Sequence, residues 1–139
     1  MTTALLIVHY LSFVAGAGGA FVSFLILRRI ASRPPEEAAV LRQLPPMISD
    51  FAVASLALLW LTGLALVWVK YGGFSTFGWA FSVKMVFVVA LTLAVAAIRF
   101  EMRRARRGVA AAAANLARLG PWPMITSWLA IVFAVIAFG

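Results

Sequence analysis

Two basic side chains, His9 and Lys84, each stand alone as the only basic residue within a long apolar stretch of this sequence. A charged lysine at the centre of a membrane-spanning helix costs at least about 2.5 kcal/mol, so an ionisable group in such a stretch is by default a candidate functional group. An imidazole can ligate iron or relay a proton. An amine can ligate a metal when neutral, pair with a carboxylate or accept a proton. His9 and Lys84 are therefore the leading candidates for chemistry.

The composition indicates where these side chains lie. The chain has 139 residues and is 65% hydrophobic but only 12% charged, whereas about a quarter of the residues in a soluble domain are charged. Four apolar runs approach the roughly 20 residues that cross about 30 Å of hydrocarbon. The sequence predicts one domain, residues 1–139, that is an all-α, integral membrane four-helix bundle. Its predicted helices cover about 4–27, 47–69, 79–98 and 122–138.

The first apolar run differs from a signal peptide. Ala15-Gly16-Ala17 resembles a cleavage site, but no basic residue precedes the run, and it stays apolar as far as Arg28. A signal peptide has a basic start and a shorter apolar core. We expect this run to be retained as the first helix.

The net charge of +8 comes mainly from arginines grouped in two segments, 28–46 and 99–121, while the loop between the second and third runs holds only Lys70. This asymmetry fits the positive-inside rule, which predicts two cytoplasmic loops and periplasmic N and C termini in a bacterial inner membrane. The first of these loops also carries Pro34-Pro35-Glu36-Glu37, which predicts a short surface helix. The charge thus indicates a lipid bilayer as the partner and argues against nucleic acid.

An internal similarity connects the two halves of the chain. Pro46-Met47-Ile48 opens the second run and Pro123-Met124-Ile125 opens the fourth, and a similar spacing separates His9 from Lys84. A tandem repeat of two helical hairpins would produce both similarities. Chance likeness between segments that enter a membrane is the other explanation.

His9 and Lys84 each lie about five residues from the outer end of their runs, or about 7–8 Å below the boundary at 1.5 Å per residue. Their common depth predicts a common pocket near the outer leaflet. The alternatives are that His9 sits at the interface and that Lys84 extends its amine towards water. Gly16 and Gly19 follow His9 on nearly the same helix face, and there they either allow a helix to approach closely or leave room for a flat macrocycle.

Three further side chains have predicted positions. Asp50, near the cytoplasmic start of the second run, should pair with a cytoplasmic arginine or cap its helix. Trp60 and Trp128 lie inside their runs, so we expect both to pack between helices.

The residue inventory excludes several kinds of site. With one histidine and no cysteine, the chain cannot form a multi-ligand zinc or copper site by itself, a covalent haem attachment or a disulfide. It also lacks the paired histidines of typical membrane cytochromes b. A homodimer could supply a second His9.

The sequence resembles the HemJ-type membrane protoporphyrinogen oxidases and their uncharacterised four-helix relatives, some of which are grouped near the CopD-type copper-resistance proteins. The resemblance spans nearly the whole chain, and its specific part is the combination of His9 with Lys84. The other matching features are Gly19, the segment Leu59-Trp60-Leu61-Thr62-Gly63-Leu64, Trp79 and Pro123. The chain departs from the family at Gly16, where tryptophan is usual. It departs again at Leu119-Gly120-Pro121-Trp122-Pro123, where the family has an Asn-Glu-x-Pro signature.

The resemblance implies oxidation of protoporphyrinogen IX to protoporphyrin IX with a b-type haem. His9 would ligate the iron, and Lys84 would be a second ligand, a propionate partner or a proton acceptor. Gly16 and Gly19 would admit the porphyrin ring beside Trp60 as an apolar wall. Electrons would pass to a quinone or a respiratory partner. The alternative function is a non-catalytic accessory subunit of a larger respiratory or photosynthetic membrane complex.

Overall fold

The computed structural model describes residues 2–30 and 32–138, and within these residues the fold is entirely helical, as predicted. Four helical segments are long and apolar enough to cross a membrane: α1, α3 with the short α2 before it, α4, and α6 with the short α5 before it. The helices are α1 (Thr2–Ile30), α2 (Pro35–Leu41), α3 (Leu44–Val69), α4 (Trp79–Arg106), α5 (Ala111–Leu119) and α6 (Trp122–Phe138), with one 3₁₀ turn at Phe74–Thr76.

The helices begin and end where local residues such as proline, glycine and charged side chains dictate, and not where the apolar runs begin and end. Helix α2 has Pro35 at its first position and two glutamates in its first turn, which suits the positive pole of the helix dipole. Helices α1 and α4 continue past their apolar runs because no glycine or proline stops them, and arginines occupy their last turns. Between α3 and α4 the chain reverses at Gly72 and Gly73, whose positive φ angles of 73° and 120° favour glycine.

The four long helices form two antiparallel pairs. Helix α1 packs chiefly against α3, and α4 packs chiefly against α6, while lesser contacts between α1 and α6 and between α3 and α4 join the pairs. Each half of the chain therefore has the order long helix, short helix, long helix. The arginine-rich segments share one end of the bundle, which we call the basic end. The loop 70–78 and Phe138 mark the other, the loop end.

Small residues let α1 approach α3 closely. A Cβ at Gly16 would lie 3.4 Å from Ser55 Cβ, and one at Gly19 would lie 3.2 Å from Ile48 Cγ2. The second distance is shorter than ordinary van der Waals contact, so a side chain at Gly19 would press directly on α3. These distances favour the close approach of two helices through small residues as the role of the two glycines.

Polar contacts join α3 to α4. The Arg99 guanidinium donates to Asp50 Oδ1 over 2.6 Å, so Asp50 pairs with an arginine as predicted. Trp60 packs between the same two helices, where its indole Nε1 donates to Thr92 Oγ1 over 3.1 Å. The prediction for Trp128 is wrong, because this side chain is 62% exposed. Helix α6 instead turns a face of small residues inward, and Thr126, Ser127 and Ala130 are its buried members.

Gly18 and Gly19 provide a matched test of this packing. No described atom lies within 4 Å of a Cβ placed at Gly18. We therefore expect Gly19→Leu to destabilise the protein by about 1–3 kcal/mol through overpacking, whereas Gly18→Leu should be neutral or stabilising. Thermal unfolding of the detergent-solubilised variants measures the difference. Equal midpoints for the two variants would show that α1 does not meet α3 through Gly19.

Candidate functional site

A cavity of about 530 Å³ lies among the four long helices towards the loop end, and His9, Trp60 and Lys84 all line it. We call it the His9 cavity. Its walls are predominantly apolar, and its volume falls within the roughly 300–1,000 Å³ of small-molecule and cofactor sites. The lone imidazole of α1 and the lone mid-helix amine of α4 thus face one chamber.

The imidazole of His9 is oriented by a hydrogen bond from α3. His9 Nδ1 lies 2.8 Å from Thr62 Oγ1, and Thr62 Oγ1 lies 2.6 Å from the carbonyl oxygen of Leu58 one turn earlier. A hydroxyl has one hydrogen, and the Leu58 carbonyl can only accept. Thr62 therefore donates to Leu58 and accepts from the Nδ1–H of His9. In a neutral imidazole this arrangement leaves the lone pair on Nε2.

The next residue of α3 gives the ring its space. A Cβ at Gly63 would lie 3.3 Å from His9 Cε1 and 3.8 Å from Nδ1, so the imidazole lies against bare backbone. Any larger residue would press on the edge of the ring that carries the hydrogen bond. Thr62 and Gly63 together form the seat of His9. Both belong to the segment Leu59-Trp60-Leu61-Thr62-Gly63-Leu64, but their positions in the sequence alone predicted no role for either. The sequence signal that could have identified this seat is a threonine next to a glycine within an otherwise apolar run.

The amine of Lys84 is held by aromatic rings. Its Nζ lies 4.8 Å from the ring centroid of Phe138 and 5.6 Å from that of Phe81. The described residues provide no carboxylate in ion-pair contact with it. Cation–π attraction is worth about 0.5–2 kcal/mol, depending on desolvation. Lys84 is thus a half-buried cation that has no internal counter-ion among those residues.

The aromatic residues near Lys84 form a cap over the loop end. Phe77 stacks on Phe81 with ring centroids 4.0 Å apart, and Tyr71 and Phe138 contact them. Tyr71, Phe77, Phe81 and Phe138 all line the His9 cavity. Only 6% of the surface of Phe81 is exposed, so the cap shields this side of the cavity from water.

Gly16 and Gly19 line a second cavity nearer the basic end and are not among the residues that line the His9 cavity. They follow His9 by seven and ten residues, which places them about 10 and 15 Å farther along the helix. The role of these glycines in admitting a porphyrin ring stays a prediction.

Comparison with known proteins gives no match to a protein-family model, a curated protein or a solved structure. The case for a function is therefore built on the chemistry of the His9 cavity.

Because His9 is the only histidine, its protonation pattern can be measured without assignment. We expect ¹⁵N NMR of histidine-labelled protein to show the tautomer protonated at Nδ1, since Thr62 accepts there. Thr62→Ser should keep this pattern, while Thr62→Val should shift the population towards the Nε2–H tautomer. A wild-type spectrum dominated by Nε2–H would contradict the hydrogen-bond assignment.

Proposed function

We propose that this protein is a HemJ-like membrane protein that binds a b-type haem or a related porphyrin through His9. The observation that carries the proposal is the 2.8 Å contact between His9 Nδ1 and Thr62 Oγ1, whose own hydrogen points to Leu58; we infer from it an Nδ1–H tautomer in which the half-buried imidazole keeps its lone pair on Nε2. Ligating histidines commonly donate their other ring N–H to a neighbouring acceptor, which fixes both tautomer and orientation. Here Thr62 is that acceptor.

One imidazole is too few protein ligands for a bare metal ion, so it favours a metal that is already coordinated by another molecule. The described residues contain no group of three or more His, Cys, Asp or Glu side chains that could hold a bare metal ion. A porphyrin provides the equatorial ligands, so one imidazole suffices as the proximal ligand. When bound, the haem would supply an iron centre able to exchange single electrons. His9 would hold it, Thr62 would orient His9, and Trp60 would form an apolar wall.

Lys84 has a role consistent with the same ligand. Its amine has no carboxylate partner among the described residues and lines the cavity with His9. A propionate of a bound porphyrin would supply the missing negative charge. If the protein oxidises protoporphyrinogen IX, Lys84 would have a different role: in its neutral form the amine would accept a proton from the substrate, and a quinone or respiratory partner would accept the electrons. A homodimer could present a second His9.

We further propose that the four apolar segments span a bacterial inner membrane. Many large apolar side chains point outward, including Tyr10, Phe51 and Leu61, which are at least 63% exposed. Lipid would cover this surface. The arginines at the basic end would face the cytoplasm, and both termini would face the periplasm. The His9 cavity would then lie towards the outer leaflet.

The architecture also supports an origin by tandem duplication. The two halves share the order long, short, long, and His9 and Lys84 both lie near the start of the first long helix of their half. Duplication would bring corresponding positions of the two halves to one central chamber.

A visible spectrum of the protein purified in detergent tests the proposal. We expect a Soret band that His9→Gly abolishes and that added imidazole restores in the His9→Gly variant, because free imidazole can replace the missing ligand. Thr62→Ser should retain the band. A colourless wild-type protein, after supplementation with haem, would contradict haem binding. Its stoichiometric purification with other membrane subunits would favour the accessory-subunit function instead.

The two lysines of the chain both line the His9 cavity, but Lys70 is exposed above Tyr71 whereas Lys84 is half-buried. We expect Lys84→Met to weaken haem binding about tenfold, since it removes a charge-assisted contact, while Lys84→Arg keeps part of the affinity. Lys70→Met should have a smaller effect, because water screens an exposed charge. A haem titration curve for Lys84→Met that equals the wild-type curve would remove Lys84 from the site.

A further inference from the structure

A second cavity, of about 620 Å³, lies between the His9 cavity and the basic end. We call it the arginine cavity, because its mostly apolar wall includes Arg42 and Arg106. Arg42 follows the last residue of α2, and Arg106 is the last residue of α4. Both arginines are exposed, and they border one chamber from different halves of the chain.

The charges of the arginine cavity are not balanced by the described residues. The chain has four acidic residues, and three of them are already paired with other arginines: Glu37 with Arg33, Asp50 with Arg99 and Glu101 with Arg104. Neither Arg42 nor Arg106 forms an ion pair within residues 2–30 and 32–138. An anion from outside the chain would complete this wall.

The rest of the cavity suits an apolar body. Its wall away from the arginines consists mainly of the small residues of α1 and the aliphatic residues of α3 and α4. It extends to Phe13, Leu56, Leu59 and Leu91, which also line the His9 cavity. From Pro45 to Leu59, α3 alone rises about 21 Å. The chamber therefore has a cationic end and a long apolar interior.

We propose that the arginine cavity binds an anionic amphiphile with one apolar chain. Its carboxylate or phosphate head lies on Arg42 and Arg106, and its chain extends towards Phe13 and Leu91. The guanidinium is suited to this task because it presents a fork of donors to the oxygens of such a head. The two cavities share part of their apolar walls, but Arg42 and Arg106 line only this one, and His9 and Lys84 line only the other. The proposed contacts to the head group therefore do not require a bound haem.

The test uses purified protein in nanodiscs of a zwitterionic lipid, with a fluorescent long-chain fatty acid and its uncharged methyl ester as probes. We expect the acid to bind about tenfold more tightly than the ester, because only the acid forms charge-assisted hydrogen bonds. The double variant Arg42→Gln/Arg106→Gln should lose this preference and still bind the ester. An alkyl phosphate of the same chain length then distinguishes a phosphate head from a carboxylate head.

A matched control separates the cavity from the general charge of the basic end. Arg103→Gln/Arg118→Gln removes the same charge from α4 and α5 but from residues that do not line the cavity. It should retain the preference for the acid. If both double variants lost the preference for the acid equally, the proposal would be overturned. Equal binding of the acid and the ester to the wild type would also overturn it.

Filling the chamber tests its interior. Ala20→Phe on α1 and Ala52→Phe on α3 place bulk at two lining positions, and each should weaken both probes by a similar factor. Circular dichroism identifies a variant that fails to fold. If one variant does not fold, the binding measured with the other variant tests the proposal. Unchanged binding of both probes to a folded variant would place them on the outer surface and overturn the proposal.

Discussion

The Nδ1–H of His9 must find an acceptor in an apolar interior, and the structure depends on how Thr62 meets that need. An unsatisfied buried donor costs about 1–3 kcal/mol. Thr62 can accept because its own hydrogen is committed to Leu58. The bond joins α1 to α3 beside Gly63, whose missing side chain leaves room for the imidazole. The free Nε2, the position of the His9 cavity and the proposed ligand all follow from this contact.

The interior is divided between close packing within each helix pair and open space between the pairs. Gly16 and Gly19 bring α1 against α3, while the contacts that join the halves leave two chambers, with Phe13, Leu56, Leu59 and Leu91 common to both. Among the described residues Ala112 is completely buried, while the other core residues keep a few per cent of their surface exposed. Interiors of this volume are costly if empty, because their lining atoms lose dispersion contacts. Both proposals treat these chambers as binding space, and each chamber combines a mostly apolar wall with basic side chains.

The sequence predicts the helices well because apolar runs, arginines and prolines act locally. It also predicts the common depth of His9 and Lys84, since depth follows from counting residues along a helix. It does not predict the rotation of a helix about its own axis when lipid-facing and interior residues are equally apolar, and Trp128 shows this failure. The seat formed by Thr62 and Gly63 depends on how α1 and α3 are aligned along each other. The spacing of residues within one helix does not predict that alignment. Gly16 and Gly19 share a face with His9 but differ in depth.

The pairing of α1 with α3 and of α4 with α6 has a consequence for biogenesis. The first hairpin can form its close contacts, including the bond between His9 and Thr62, before the second hairpin has been synthesised. Lys84, Phe81 and Phe138 arrive only with the second hairpin. Before the second hairpin has formed, the first would thus present an oriented imidazole without its enclosing walls, and a ligand could be enclosed only once α4 and α6 are in place.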